Sequence, residues 1–117
     1  MLPDIHNLFH ESHSSKEETI SEFLSGNQFR LEHIVSRGQA SPDDSWYDQD
    51  QDEWVALISG QARLLFNDGI LDLVAGDSLV IPAHQKHRVS STSADAVWLA
   101  LHFNQAPSQQ PSPIENG

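Results

Sequence analysis

The chain has 117 residues, of which 38% are hydrophobic, and it carries a formal net charge of −11. This length predicts a single domain with a modest core, for which a homodimer would supply extra buried area. The negative charge disfavours binding to nucleic acids and anionic membranes, and a sequence without cysteine has no disulfides, thiolate nucleophiles or thiolate metal ligands.

For the first 27 residues, the sequence pattern predicts a tether followed by a short helix. Residues 1–14 are polar and lack the basic start and apolar run of a signal peptide, so we expect a soluble, unexported protein of the cytoplasm. Ser15 and the acids that follow it are typical of a helix start, and the pattern predicts a helix over residues 16–25. The apolar residues with helical i, i+3, i+4 spacing are Ile20, Phe23 and Leu24.

Residues 28–103 predict a β-barrel, because apolar residues recur with a period of two and turn residues separate the segments. His33 shares the face of the apolar residues in the first of these strands, which indicates a core histidine and not a metal ligand. Residues 104–117 are rich in Pro, Gln and Ser and predict a flexible tail. The predicted strands are 28–35, 54–58, 62–66, 70–74, 78–81 and 96–103.

Two short motifs have fixed spacings. In the first, Glu53 is followed by six residues and Gly60; in the second, Gly76 is followed by five residues, Pro82, four residues and His87. The pair resembles the two motifs of the cupins, small jelly-roll β-barrels, over about residues 36–103. The resemblance implies an all-β cupin jelly-roll barrel, here with a short N-terminal helix, and brings Glu53 and His87 together inside it.

The start of the first motif departs from the family pattern. Metal-binding cupins usually carry two histidines, one residue apart, shortly before the glutamate; here those positions hold Tyr47 and Gln49, or Trp46 and Asp48 in the alternative spacing. A regular strand would turn Tyr47, Gln49 and Glu53 inward, whereas a bulge would turn Asp48 inward. We favour Gln49 over Asp48 as the substitute ligand.

Glu53 and His87 are the predicted catalytic residues. A carboxylate and an imidazole suit one divalent transition metal, namely iron, manganese, nickel or zinc, and Gln49 would be the third ligand. His84 and His102 are further candidates to complete the shell. The alternative is a metal-free barrel in which Glu53 and His87 hydrogen-bond each other in a polar pocket.

Four further side chains are predicted to contact a substrate: Tyr47, His84, Trp98 and His102. His84 stands at a turn-glycine position of the family pattern, so it either adopts an unusual backbone conformation over the barrel mouth or lies in a surface loop. His102 shares a strand face with Trp98, and we expect the opposite, wholly apolar face of that strand to form the core. His102 would then face away from the site, where it would contact a dimer partner. It would reach the site only if this strand turned its other face into the barrel.

Three functions follow from these residues. The first is a metal-dependent dioxygenase or isomerase acting on a small, partly apolar molecule in the barrel. The second is a metal-free acid/base enzyme resembling the epimerase branch of the cupins, and the third is a ligand-binding or sensory module without catalysis. The sequence names no substrate.

Overall fold

The structure is a computed structural model that describes residues 1–9, 18–38 and 46–104. These residues form eight β-strands and no helix, so none of them belongs to a helix that could cross a membrane. In chain order the strands are β1 (Thr19–Ser25), β2 (Phe29–Ser36), β3 (Asp52–Ser59), β4 (Gln61–Phe66), β5 (Gly69–Val74), β6 (Ser78–Ile81), β7 (His87–Thr92) and β8 (Ala96–Phe103).

The strands form two antiparallel sheets. The larger sheet has the order β1-β2-β8-β3-β6 and the smaller has the order β5-β4-β7. Sequence neighbours β3 and β4 lie in different sheets, as do β5 and β6, β6 and β7, and β7 and β8, so the chain crosses repeatedly between the two layers. This all-β arrangement of two facing sheets is consistent with the predicted jelly roll.

The hydrophobic core lies between the two sheets, because alternate residues of each strand turn toward the facing layer. The larger sheet supplies Leu57, which is fully buried, and Trp98; the smaller sheet supplies Leu64 and Leu73. Burial of apolar area in this layer is the main force that holds the sheets together.

The predicted N-terminal helix is wrong. Residues 19–25 of the predicted helix are the edge strand β1, which pairs with β2 from Thr19 opposite Val35 to Ser25 opposite Arg30; residues 16 and 17 lie outside the described ranges. The register shifts between Glu22 and Leu24, and this irregularity breaks the alternation that would have identified a strand. Pairing with β2 therefore overrides a local pattern that resembles a helix.

The six predicted strands match β2, β3, β4, β5, β6 and β8. Strand β7 was not predicted from the sequence. Val89 is its only aliphatic residue, and its second half falls in the polar run Ser90–Asp95, whose composition is typical of a turn. The strand forms because β4 supplies its pairing partners, with Phe66 opposite His87 and Ala62 opposite Thr92.

His33 is buried and satisfied, as predicted. Its Nε2 donates to the carbonyl of Leu8 at 2.7 Å, and its ring stacks on Phe23 with 5.0 Å between ring centroids. The contact attaches residues 1–9 to the outer face of the larger sheet. The predicted tail beyond Asn104 lies outside the described residues, and the proposed division into tether, barrel and tail stays a prediction.

Two motif glycines adopt left-handed backbone, with φ of 84° at Gly60 and 97° at Gly76, but they differ in the space around them. A Cβ at Gly60 would lie 2.5 Å from the Ser93 Oγ and 2.8 Å from the Ala96 Cα, whereas a Cβ at Gly76 would meet nothing within 4 Å.

We expect Gly76→Ala to lower the free energy of unfolding by about 1–2 kcal/mol through backbone strain alone. Gly60→Ala should lose about 1–3 kcal/mol more, because the Ser93 and Ala96 contacts must shift. Urea unfolding of the two variants and the unsubstituted protein measures the difference. Equal losses would show that the close approach at Gly60 relaxes without cost.

Candidate functional site

A cavity of about 140 Å³ opens between the two sheets at one end of the barrel. Most of its wall is apolar and comes from both sheets. The apolar lining includes Ile34, Val55, Leu64, Ile81, Val89 and Trp98. The polar lining consists of Glu18, Glu32, Gln49, Glu53, His87 and His102, with Tyr47 beside them.

Glu53 and His87 meet inside this cavity. Glu53 lies near the start of β3 and His87 starts β7, so the two sheets carry them to the same end of the barrel. His87 Nε2 is 3.6 Å from Glu53 Oε1, and both residues are more than nine-tenths buried. His87 Nδ1 donates to the Gln85 carbonyl at 2.9 Å, which fixes the ring and directs Nε2 toward the carboxylate.

A second imidazole lies on the other side of the same carboxylate. His102 Nε2 is 3.8 Å from Glu53 Oε2 and 3.1 Å from Glu32 Oε1, to which it can donate a hydrogen bond. Carboxylates and imidazoles therefore alternate across four strands, from Glu32 on β2 through His102 on β8 and Glu53 on β3 to His87 on β7. Within this row the contact between Glu32 and His102 is a hydrogen bond, whereas Glu53 lies 3.8 and 3.6 Å from the two imidazoles and interacts with them electrostatically.

The orientation of β8 differs from our expectation. The face that carries Trp98, Ala100 and His102 turns into the barrel, and the wholly apolar face turns outward. Glu32 explains the difference, because its carboxylate satisfies the buried imidazole of His102 from a neighbouring strand. Glu32 and Glu18 were not predicted as site residues; the local signal for Glu32 is its place on the same strand face as Ile34, which also lines the cavity.

Tyr47 and Gln49 reach the cavity on a segment that lies outside the regular sheets. Tyr47 forms an isolated bridge with His87, through hydrogen bonds of 2.7 and 3.2 Å, and the His84 amide donates to the Gln49 carbonyl at 2.8 Å. These bonds hold the segment against the start of β7 and the β6–β7 loop. Tyr47, Gln49 and Glu53 therefore all line the cavity, as the regular alternation predicts.

His84 lies outside this group. It adopts a φ of 67°, the left-handed conformation that suits the glycine of the family pattern, but its side chain is exposed and does not line the cavity. Its Nδ1 lies 3.0 Å from Asp48 Oδ1, on the surface. Of the predicted site residues, the structure brings together Tyr47, Gln49, Glu53, His87, Trp98 and His102 and leaves His84 at the rim.

Two buried oxygens in the cavity have no hydrogen-bond partner among the described residues, Glu53 Oε1 and Gln49 Oε1. A buried polar atom without a partner costs about 1–3 kcal/mol, so such atoms in native proteins usually await a water, an ion or a ligand. Both oxygens are acceptors, which means that whatever satisfies them must donate.

The pKa of His87 reflects the same pair. Burial of the ring acts to lower the pKa, but the neighbouring Glu53 carboxylate and the Gln85 carbonyl together outweigh burial and raise it above the ordinary value of 6.5. With Nδ1 bonded to a carbonyl, Nε2 can face Glu53 favourably only when it carries a proton. The His87 ring therefore presents its Nε2 proton toward the Glu53 carboxylate.

A transition metal fits these residues incompletely. If this chain held a metal as metal-binding cupins do, the ligands would be Gln49, Glu53 and His87. They provide one amide, one carboxylate and one imidazole. No group of three or more His, Asp or Glu among the described residues is placed to hold a metal ion, and His102 turns its Nε2 toward Glu32. Because amide oxygen is a poor ligand for iron, nickel or zinc, we derive no chemical step from a metal.

Residues 32–102 match the sequence profile of the cupin domain. A solved structure from Ralstonia eutropha JMP134, provisionally named a mannose-6-phosphate isomerase, is 37% identical in sequence and superposes with a TM-score of 0.81, covering 88% of this chain and 100% of its own. A search of curated proteins by sequence finds no match.

More distant structures share the fold. A cupin superfamily protein from Desulfitobacterium hafniense DCB-2 is 18% identical with a TM-score of 0.70, covering 81% of this chain and 84% of its own. An RmlC-like cupin from Desulfovibrio desulfuricans is 16% identical with a TM-score of 0.69, covering 86% of this chain and 95% of its own. Identities this low support the architecture alone.

The raised pKa of His87 makes stability depend on pH. The protonated imidazole beside Glu53 stabilises the folded state fully below about pH 6.5, and this contribution is lost as the pH rises through the higher folded-state pKa. We expect His87→Gln to lose more free energy of unfolding, relative to the unsubstituted protein, at about pH 6 than at about pH 8.5. Chemical unfolding at both pH values tests this, and a pH-independent difference would contradict it.

Proposed function

The chain belongs to the cupin family, and from this membership and the geometry of its barrel we propose that it is an isomerase that moves a proton between neighbouring carbon atoms of a small hydroxy-carbonyl compound. The supporting observation is the buried Glu53 Oε1, which has no hydrogen-bond partner among the described residues and lies 3.6 Å from His87 Nε2 in a largely apolar cavity. The isomerase name of the 37% identical relative points to the same class of reaction.

In this proposal Glu53 is the base and protonated His87 is the acid. His87 Nε2 donates a proton to the carbonyl oxygen of the substrate while Glu53 Oε1 accepts the proton from the adjacent carbon, which gives a neutral enediol. Glu53 then returns its proton to the former carbonyl carbon, and the hydroxyl on the carbon that Glu53 deprotonated gives its proton to His87, which forms the new carbonyl group. Protons balance over the cycle, and both groups end as they began.

The remaining polar residues have positioning roles. His102, held by Glu32, faces the second oxygen of Glu53 at 3.8 Å and limits how far the carboxylate can rotate. Gln49 offers its unpartnered oxygen to a substrate hydroxyl, and Tyr47 packs on the His87 ring with 5.4 Å between centroids. Trp98 supplies an apolar wall.

The proton-transfer step can be tested without knowing the natural substrate. We expect the protein to exchange deuterium from D₂O into the carbon next to the carbonyl of at least one compound in a panel of dihydroxyacetone, glyceraldehyde, mannose and mannose 6-phosphate, followed by NMR. Exchange should fall about 100-fold or more in Glu53→Gln and in His87→Gln. Asp4→Asn, which removes one carboxylate charge from the exposed N-terminal segment, should leave the rate unaltered.

The same assay separates the rival functions. Exchange that survives a chelator supports the metal-free proposal, whereas exchange lost with the chelator, together with stoichiometric metal that disappears in Glu53→Ala, would favour a metal enzyme using Gln49, Glu53 and His87. No exchange with any compound of the panel would count against an enzyme and favour a ligand-binding module.

We also propose that two copies of the chain pair through the outer face of the larger sheet. On this face, directly opposite residues form an uncharged row across four strands: Leu31, Leu101, Trp54 and Val80. Because Leu8 contacts His33 on the β2 side of this face, the second copy would contact the β8-β3-β6 side, where Val80 is 56% exposed. The partner we propose is a second copy of the chain. Each copy has a net charge of −11, and pairing through an uncharged row keeps the carboxylates of the two copies apart.

Two matched valines test the pairing. Val80 on this face and Val74 on the smaller sheet are 56% and 55% exposed, so lysine at either position should be tolerated by the fold. We expect Val80→Lys to weaken the dimer at least about tenfold, since a desolvated charge costs more than 1.4 kcal/mol, while Val74→Lys leaves it unchanged. Analytical ultracentrifugation measures both. A monomeric unsubstituted protein, or equal effects, would contradict the proposal.

A further inference from the structure

The polar and apolar parts of the cavity wall are separated along the strands. Glu53 lies opposite His102 in the β3–β8 pairing, and His87 approaches the same carboxylate from the smaller sheet. Two residues further along, Val55 follows Glu53 on β3 and Val89 follows His87 on β7, and both valines line the cavity. Residues two apart on a strand share a face and lie about 7 Å apart. The wall therefore changes from polar to apolar within the length of a small molecule.

The atoms that await a ligand belong to the polar end. Glu53 Oε1 and Gln49 Oε1 are the only buried side-chain oxygens or nitrogens of the described lining residues that lack a hydrogen-bond partner. The segment that carries Gln49 is bonded to His87 through the main chain of Tyr47. Both unpartnered atoms are acceptors, so a ligand that satisfies them must present donor hydrogens at this end.

The other carboxylates of the wall already have donors from the protein. Glu32 contacts Arg30 through Oε2 at 3.2 Å and His102 through Oε1 at 3.1 Å, so both of its oxygens have partners. Glu18 accepts a hydrogen bond from Ser36 Oγ at 2.8 Å, at the opposite end of the larger sheet from the unpartnered oxygens. The need for donor groups in a ligand is therefore confined to one end of the cavity.

The part of the wall next to that end is hydrocarbon. The side chains of Ile34, Val55, Leu64 and Val89 line it, and they can neither donate nor accept hydrogen bonds. A hydroxyl group placed against them would lose its hydrogen bonds to water without replacement, whereas a methyl group there would gain from burial. This part of the cavity therefore favours carbon over oxygen.

The enclosed volume sets the length of the ligand. A cavity near 150 Å³ holds a molecule about as large as benzene, so the roughly 140 Å³ here encloses about six non-hydrogen atoms. Two oxygens and the two carbons that carry them account for four of these atoms. One or two further carbons would then lie against Val55 and Val89.

We infer that the barrel selects a compound of about six non-hydrogen atoms with oxygens on two adjacent carbons at one end and a short alkyl group at the other, and that it discriminates against polyols of the same size. The inference rests on the proposed function in placing the two oxygens at Glu53 and His87. One hydroxyl donates to Gln49 Oε1, the neighbouring oxygen accepts from His87 Nε2, and the alkyl group packs on Val55 and Val89. The substrate of the isomerase is then a hydroxy ketone with an alkyl end, such as 1-hydroxybutan-2-one.

Two diols that lack a carbonyl group, and so cannot isomerise, test the selection. Butane-1,2-diol and glycerol have equal numbers of non-hydrogen atoms and differ only in a methyl group that replaces a hydroxyl. Titration followed by NMR through the side-chain signals of His87 and Trp98, which line the cavity, gives their dissociation constants. We expect butane-1,2-diol to bind at least about tenfold more tightly than glycerol. Each carbon added from ethane-1,2-diol to butane-1,2-diol should tighten binding about fourfold.

The corresponding ketones test the substrate class. 1-Hydroxybutan-2-one and dihydroxyacetone differ by the same replacement of a hydroxyl with a methyl group. We expect kcat/KM for deuterium exchange at the hydroxymethyl carbon to be at least about tenfold higher for 1-hydroxybutan-2-one. Both rates are referred to the concentration of unhydrated ketone measured in the same spectrum.

A matched pair of variants assigns the preference to this part of the wall. Val89→Thr introduces a hydroxyl into the hydrocarbon lining with nearly the same side-chain shape, so the preference for butane-1,2-diol over glycerol should fall at least about threefold. Val74→Thr makes the same change on the same sheet outside the cavity lining, at a residue that is 55% exposed, and should leave the preference within about twofold.

The outcomes separate this inference from the proposed isomerase. Preference for butane-1,2-diol without deuterium exchange in either ketone would overturn the isomerase and leave the selection standing. Glycerol that binds as tightly as butane-1,2-diol, or dihydroxyacetone that exchanges as fast as 1-hydroxybutan-2-one, would overturn the selection and leave the isomerase standing. An unaltered preference in Val89→Thr, or diols that fail to move the His87 and Trp98 signals, would also overturn the selection.

Discussion

The structure depends on the burial of one carboxylate, that of Glu53. An ionised carboxylate in an apolar interior is unstable unless charges and donors surround it, and here the surroundings are two imidazoles contributed by strands of both sheets. His87 and His102 reach the same carboxylate only if one side of the barrel holds the start of β3, the start of β7 and the end of β8. The requirement for charge compensation therefore adds a link between the two layers at this end to the apolar packing around Leu57.

That compensation is incomplete, and the remainder is what makes the barrel a site. Glu53 Oε1 and Gln49 Oε1 keep acceptor capacity that no described residue uses. A protein selected only for stability would fill such a position with apolar side chains, because an unsatisfied buried oxygen lowers stability. The two unsatisfied oxygens lower the stability of the folded protein and are available to bind a ligand.

The sequence was sufficient where the signal is local or the spacing is fixed. Apolar segments bounded by turn residues predicted β3 to β6 and β8, and motif spacing predicted that Glu53 and His87 would meet. The sequence was insufficient where distant residues decide. The bulge beside Phe23 makes β1 resemble a helix, and the polar composition of β7 conceals a strand that exists because β4 pairs with it. The inward face of β8 is set by Glu32, which lies 70 residues from His102.

The attachment of Tyr47 and Gln49 has an evolutionary consequence. Their segment is joined to the barrel by main-chain bonds to His87 at the start of β7 and to His84 in the β6–β7 loop, and such bonds form with almost any side chain. Glu53 and His102, in contrast, are fixed by the strands that also carry the core. Substitutions between residues 46 and 50 can therefore accumulate and remodel the cavity wall while the folding of the barrel is preserved. One wall of the cavity is open to divergence between relatives, and the other is inherited with the fold.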